Sequence, residues 1–167
     1  FCFCCLCFWC HNQEIIVNNF AGDTPEVVLL FGVSHTAQGL DSAELILTAG
    51  FSNVTAHRAI GNASADGQNF TLTSARQANA VYSLLDFNLG LLAEATILSA
   101  SANKFTVRWT NNNTTAYLVN YIALGGIALT NFDILTINAP NTAGLQSTTS
   151  LAYQPDALLF LSSFFTF

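Results

Sequence analysis

The chain has 167 residues, the length of one domain or of two small ones. Hydrophobic residues make up 51% of it and charged residues 8%, with ten Asp and Glu against four Lys and Arg. Its apolar runs are of strand length, which excludes a membrane-spanning helix of about 20 residues. Its apolar content excludes a disordered chain, and its few cations exclude binding to nucleic acid or to an anionic membrane surface.

All five cysteines lie in the first ten residues, so disulfides cannot link distant parts of the fold. Cys7, Cys10 and His11 match the C-x-x-C-H pattern of c-type haem attachment, in which two thioethers and an axial histidine hold the haem. The alternative is that residues 1–11 form a Cys-rich apolar end segment that packs against a neighbouring surface. We favour the end segment and predict no cofactor and no metal site.

Short β-branched or aromatic runs bounded by turn residues predict strands at residues 14–17, 26–31, 44–48 and 70–73. The following region, 81–100, is ambiguous. Its apolar residues fit a short helix, but Asn88 and Gly90 interrupt that pattern. The residues that define the helical alternative are Leu84, Leu85, Leu91, Leu92 and Ala95.

Three further strands are predicted at 105–109, 117–124 and 132–137. Alternation in the first of them places Thr106 and Arg108 opposite its three large apolar residues. About eight to ten short strands predict an all-β fold, an antiparallel β-sandwich or a jelly-roll-like arrangement. The expected core includes Phe31, Leu47, Phe105, Val107, Trp109, Leu118 and Ile122.

A polar residue, Pro and an acidic residue precede an apolar run twice, at 24–31 and at 154–161, about 130 residues apart. The pattern predicts a β-sandwich module over residues 12–140 and the start of a second repeat at 141–167. Residues 141–167 also fit a strand-exchange segment that pairs with a neighbouring chain. The remaining alternative is that two edge strands share the motif by chance.

Three motifs in order give the chain a likeness to known proteins: the Pro-acidic-apolar runs, Phe-Thr-Val-Arg-Trp-Thr at 105–110, and Tyr-Ile-Ala-Leu-Gly-Gly at 121–126. They resemble β-sandwich repeats of tailed-bacteriophage virion structural proteins, of the tail-fibre or decoration type. The resemblance covers most of residues 12–161 and implies a structural role without catalytic residues. The Cys-rich start and the truncated second copy depart from the pattern.

A surface with so few charges favours permanent assembly, because solubility usually rests on charged side chains. We therefore expect a non-enzymatic structural subunit of a phage-like virion or an extracellular filament. Its partners would be copies of itself or other subunits of the virion or filament. The expected assembly interface comprises Ala157, Leu158, Leu159, Phe160, Leu161, Phe164 and Phe165.

Other chemistry is weakly indicated, since neither a nucleophile elbow nor a phosphate loop is present and the acidic residues are scattered. His57 and Arg58 fit an anion or glycan contact, or a solvated loop pair. Trp109, Tyr117 and Tyr121 fit the sugar-stacking platform of a glycan-binding adhesin module, or core aromatics. Surface glycosylation or plain turns would explain the sequons at Asn53, Asn62, Asn69, Asn112 and Asn113.

Overall fold

The computed structural model describes residues 12–18, 20–34, 44–65, 73–86, 88, 90–112, 115–138, 140–147 and 151–162. Regular structure within these ranges is entirely β-strand, so the all-β prediction is confirmed. The nine strands are β1 Asn12–Ile16, β2 Pro25–Val33, β3 Glu44–Ser52, β4 His57–Ala65, β5 Thr73–Ala78, β6 Tyr82–Leu85, β7 Leu91–Ser101, β8 Lys104–Asn111 and β9 Val119–Gly125.

The strands form two antiparallel sheets, a four-stranded sheet in the order β1-β8-β7-β6 and a five-stranded sheet in the order β5-β4-β3-β2-β9. Each strand from β2 to β5 pairs with the next one along the chain in the five-stranded sheet, and the strands from β6 to β8 do the same in the four-stranded sheet. β1 completes the four-stranded sheet beside β8, and β9 completes the five-stranded sheet beside β2. The predicted antiparallel β-sandwich is confirmed, with most connections made inside a sheet rather than between sheets.

The core lies between the two sheets and is built by alternation along each strand. One buried cluster contains Val28 and Leu30 of β2, Ile97 of β7, and Phe105 and Val107 of β8. Every residue of β6 is also buried, because this strand lies against β3 and β4 of the opposite sheet. The burial of Phe105 and Val107 confirms the alternation predicted for β8.

The close approach of β6 to the five-stranded sheet depends on residues without a Cβ. A Cβ on Gly61 would collide with the carbonyl oxygen of Ser83, and one on Gly50 would lie 2.5 Å from that of Val81. Such separations are well inside van der Waals contact, so larger residues at these positions would push the two sheets apart. Glycine in β3 and β4 therefore sets the spacing of the sandwich.

A buried hydroxyl also links the sheets. Thr48 Oγ1 donates to the carbonyl oxygen of Ile60 (3.0 Å) and accepts from the backbone N–H of Ser83 (3.1 Å). These bonds place Thr48 in the core and thereby turn its neighbour Leu47 to the outer side of the sheet, where its side chain is 42% exposed. The prediction that Leu47 belongs to the core is wrong.

The core prediction also fails at two other positions and holds only partly at two more. Leu118 and Ile122 are 40% and 46% exposed, because they share the outward face of the β9 segment. Phe31 and Trp109 are half-buried. The errors arise in runs with apolar residues at consecutive positions, where alternation cannot choose the buried side.

The helical alternative for residues 81–100 is wrong, since this region forms β6 and β7. Asp86 makes the turn between them: its Oδ1 accepts from the backbone N–H groups of Asn88 (2.8 Å) and Gly90 (2.7 Å). The strand predicted at 132–137 is also wrong, because these residues pair with none of the described strands. The strand predicted at 70–73 lies outside the described residues except for Thr73, which begins β5.

Candidate functional site

The outer face of the five-stranded sheet, the side turned away from the core, carries apolar residues on four strands, with the polar residues Asn62 and Asn120 among them. In one cross-strand row Leu29 is flanked by Phe51 on β3 and by Ile122 on β9. In the next row Phe31 lies beside Ala49, and Val27 continues the surface beside Leu124. We call this surface the outer face and define it by Val27, Leu29, Phe31, Leu47, Phe51, Ile60, Ile122 and Leu124.

The chain after β9 lies over one part of the outer face. Arg58 Nε donates to Thr136 Oγ1 (2.9 Å), which fixes this segment beside the start of β4. Phe51 and Ile60 from the sheet, with Leu135, Ile137 and residues 158–161 from the segment, line a cavity of about 530 Å³. The segment therefore covers the β3–β4 end of the outer face incompletely.

The predicted assembly residues 157–161 lie in this segment. Ala157, Leu158, Leu159 and Phe160 are exposed, the last three at 64–67%, and Leu161 is half-buried. Their backbone is not in a strand, so pairing with a neighbouring chain stays a prediction. Phe164 and Phe165 lie outside the described residues, and the boundaries predicted at 11/12 and 140/141 also stay predictions.

Strand β9 forms an edge of the five-stranded sheet. Among the described strands it pairs only with β2, so none of them occupies its other side. Ile122 and Leu124 are both 46% exposed on this strand. Tyr121 points the other way and stacks edge to face on the core residue Phe105, with ring centroids 5.4 Å apart. β9 therefore joins the core on one side and presents apolar side chains on the other.

A Ser–His pair lies at the β3–β4 hairpin. Ser52 Oγ is 2.7 Å from His57 Nδ1 and accepts from the backbone N–H of Val54 (3.0 Å). Burial, and next the positive charge of Arg58, lowers the pKa of His57 below its ordinary value. The neutral imidazole can accept the Ser52 proton at Nδ1 in the tautomer that carries its hydrogen on Nε2. Since Ser52 is only 1% exposed, a substrate could not reach it, and the pair braces the hairpin.

Arg58 and the aromatic residues are engaged within the fold. Besides its bond to Thr136, Arg58 donates through Nη1 to the carbonyl oxygen of His57 (2.7 Å). Trp109 stacks edge to face on buried Tyr82, with centroids 5.6 Å apart, and its indole N–H donates to Gln13 (3.4 Å). Tyr117 is half-buried beside the core. These contacts favour core packing of Trp109 and Tyr117 over a sugar platform, whereas Tyr121 is 42% exposed although its ring contacts Phe105.

The sequon asparagines that the structure describes differ in their burial and hydrogen bonding. Asn53 Oδ1 accepts from the N–H of Ala56 (2.7 Å) and the hydroxyl of Thr55 (3.1 Å), the bonding of a turn asparagine. Asn62 is half-buried in the middle of β4, and its buried Oδ1 has no hydrogen-bond partner among the described residues. Asn112 is exposed just after β8. Asn69 and Asn113 lie outside the described residues.

The haem alternative falls on Cys7, Cys10 and His11, which lie outside the described residues. Within the described ranges, no three His, Cys, Asp or Glu side chains gather as metal ligands. Those same ranges contain no helix with the length and hydropathy of a membrane span. No protein-family model, curated protein or solved structure matches the chain.

Sequence reasoning missed the open edge at β9 and the strand β4. The edge position is a property of the strand order, which local sequence does not encode. The signal that could have found β4 is the alternation of Ala59, Gly61, Ala63 and Ala65, which supply its buried face. Such small residues do not form the bulky apolar pattern by which strands are recognised.

Proposed function

We propose that this chain is a non-enzymatic structural subunit that assembles through its outer face, in a phage-like virion or an extracellular filament. The observation that carries the proposal is that β2 is apolar on both sides. Val28 and Leu30 fill the core, while Val27, Leu29 and Phe31 lie on the outer face. Strands with this continuous pattern are typical of sheets covered on both faces.

The apolar side chains of the outer face support a permanent contact. Fully burying a Leu, Val or Phe side chain contributes roughly 1.5–3 kcal/mol. Leu47, Ile122 and Leu124 are exposed and the other residues of the outer face are half-buried, so covering the face would add part of this stabilisation at each position. Obligate interfaces are large and more apolar than transient ones. A structural subunit that stays in its assembly would keep such a face covered for its whole life.

The experiment is to measure the mass of the full chain by native mass spectrometry and sedimentation at micromolar concentration. We expect an oligomer, and we expect Ile122→Lys to shift it towards the monomer by placing a charge where the outer face reaches β9. Ser99→Lys is the matched control, because Ser99 is exposed on β7 of the opposite sheet. A monomeric unsubstituted chain, or equal effects of the two lysines, would contradict the proposal.

Electron microscopy of the assembled chain addresses the kind of particle. A subunit whose contacts close by rotation gives rings or shells, while one whose contacts repeat without closing gives fibres. Closed particles would favour the virion and open fibres the extracellular filament.

A further inference from the structure

We propose that β9 is the strand through which two copies of this chain meet. In the proposed contact, β9 pairs antiparallel with β9 of a second copy about a two-fold axis perpendicular to the sheet. The two five-stranded sheets then become one continuous sheet. The inference rests on the proposed function and names the partner and the strand that this function would use.

The edge strands of the two sheets, β1 and β6 in one and β5 and β9 in the other, differ in the features that protect them from pairing with another chain. Natural edge strands are commonly protected by charge, shortness or a cover. β1 carries Glu14, whose Oε2 lies 2.9 Å from Lys104 Nζ. β5 contains Arg76, and β6 has four residues, all buried. β9 has seven residues and no charged one, so it is the unguarded edge among the described strands.

The distribution of charge along the chain also favours β9 as the place where two copies meet. The formal net charge is −6, so two copies repel each other at long range. From Trp109 to Phe132 the sequence contains no Asp, Glu, Lys or Arg. Two copies that meet along β9 therefore place uncharged backbone and side chains together, which keeps the like charges of the two molecules apart.

The side chains of β9 would also extend an existing surface. Ile122 ends the row that begins at Arg58 and continues through Phe51 and Leu29. Pairing at this edge would carry the row into the second copy and cover the exposed flanks of Ile122 and Leu124. Strand addition at a sheet edge gains backbone hydrogen bonds together with this apolar burial.

The proposed symmetry gives a sharp test. Opposed residues of an antiparallel pair lie on the same side of the sheet, so one residue of β9 must face its own copy across the axis. At such a position the Cα atoms lie about 4.5–5.5 Å apart, within the range that a disulfide spans. Residues one or two places away are too distant from their own copies to form one.

The experiment places single cysteines in the full chain after Cys2, Cys4, Cys5, Cys7 and Cys10 are replaced by serine. Each residue from Asn120 to Leu124 is substituted in turn, and Leu47→Cys is the exposed outer-face control. After mild oxidation, disulfide-linked dimers are quantified on non-reducing gels. We expect one position in β9 to cross-link in most molecules, its neighbours at least tenfold less, and Leu47→Cys little.

Two outcomes would overturn the inference and leave the proposed function standing. An oligomer in which none of the five β9 positions cross-links to itself would place the contact elsewhere. A disulfide formed on mixing Ile122→Cys chains with Leu159→Cys chains, without self-linkage in β9, would identify the C-terminal run as the added strand. A monomeric unsubstituted chain would instead overturn the proposed function itself.

Discussion

Asn103 holds the connection between β1 and β2 against the β7–β8 turn. Its φ is +60°, its Oδ1 accepts from the N–H of Gly22 (2.9 Å), and its own N–H donates to the carbonyl oxygen of Asp23 (2.8 Å). Its carbonyl oxygen accepts from the N–H of Val17 (2.7 Å). One residue in a two-sheet fold thus fixes a connection that passes between the sheets.

We expect Asn103→Ala to lower the free energy of unfolding by about 2 kcal/mol, since alanine loses the side-chain bond and is strained at positive φ. Asn103→Gly should lose less, because glycine tolerates this φ. Urea denaturation of the unsubstituted chain, Asn103→Ala and Asn103→Gly measures their free energies of unfolding and so the order of their stabilities. Equal stability of the unsubstituted chain and Asn103→Ala would contradict the role assigned to this residue.

His57 should make stability depend on pH. Its folded pKa is lowered by burial and by Arg58, so the unfolded chain binds the proton more tightly. The stabilisation is therefore present above the unfolded pKa of about 6.5 and is lost as the pH falls through the lower folded value. Urea unfolding from pH 7.5 to pH 5 should show a steeper loss for the unsubstituted chain than for His57→Gln. Parallel pH profiles would show that the protonation of His57 does not contribute to the pH dependence of stability.

At the scale of elements, β4 and β6 depend on one another. β6 lies against β4 because the buried face of β4 carries alanine and glycine, and Thr48 and Ser83 then bond across the gap. We expect Gly61→Ala to cost about 3 kcal/mol or to prevent folding, because its methyl group would overlap the Ser83 carbonyl.

Ser64→Ala is the matched control for Gly61→Ala, since Ser64 lies on the outward side of the same strand. Its unfolding free energy should change by less than about 0.5 kcal/mol. Thermal unfolding followed by circular dichroism measures both variants. A Gly61→Ala chain as stable as Ser64→Ala would show that the sheet spacing is not set by glycine.

At the scale of the whole molecule, all nine described strands end by Gly125, and the run 157–161 lies outside them. We expect deletion of residues 155–167 to leave a folded sandwich with weaker self-association, because Leu158, Leu159 and Phe160 contribute exposed apolar surface. Circular dichroism checks the fold and sedimentation the association. Full-size assemblies formed by the shortened chain would rule out the C-terminal run as an interface.

The sequence by itself determined the all-β class, the approximate strand number, the buried alternation of Phe105 and Val107, and the scarcity of charge that favours assembly. These are local or compositional properties, so they can be read without knowing which strands meet. The apolar run at 157–161 was found for the same reason, and its role in assembly stays a prediction.

The tertiary structure alone decided which side of β3 and β9 faces the core, and which strand forms the open edge. Leu47 follows the apolar Ile46 and Ile122 follows the apolar Tyr121, so the bond between Thr48 and Ser83 and the packing of Tyr121 on Phe105 mark the buried side. The edge at β9 follows from pairing with β2, a partner about 90 residues away in the sequence. Such pairings depend on interactions between distant segments, which local sequence patterns do not encode.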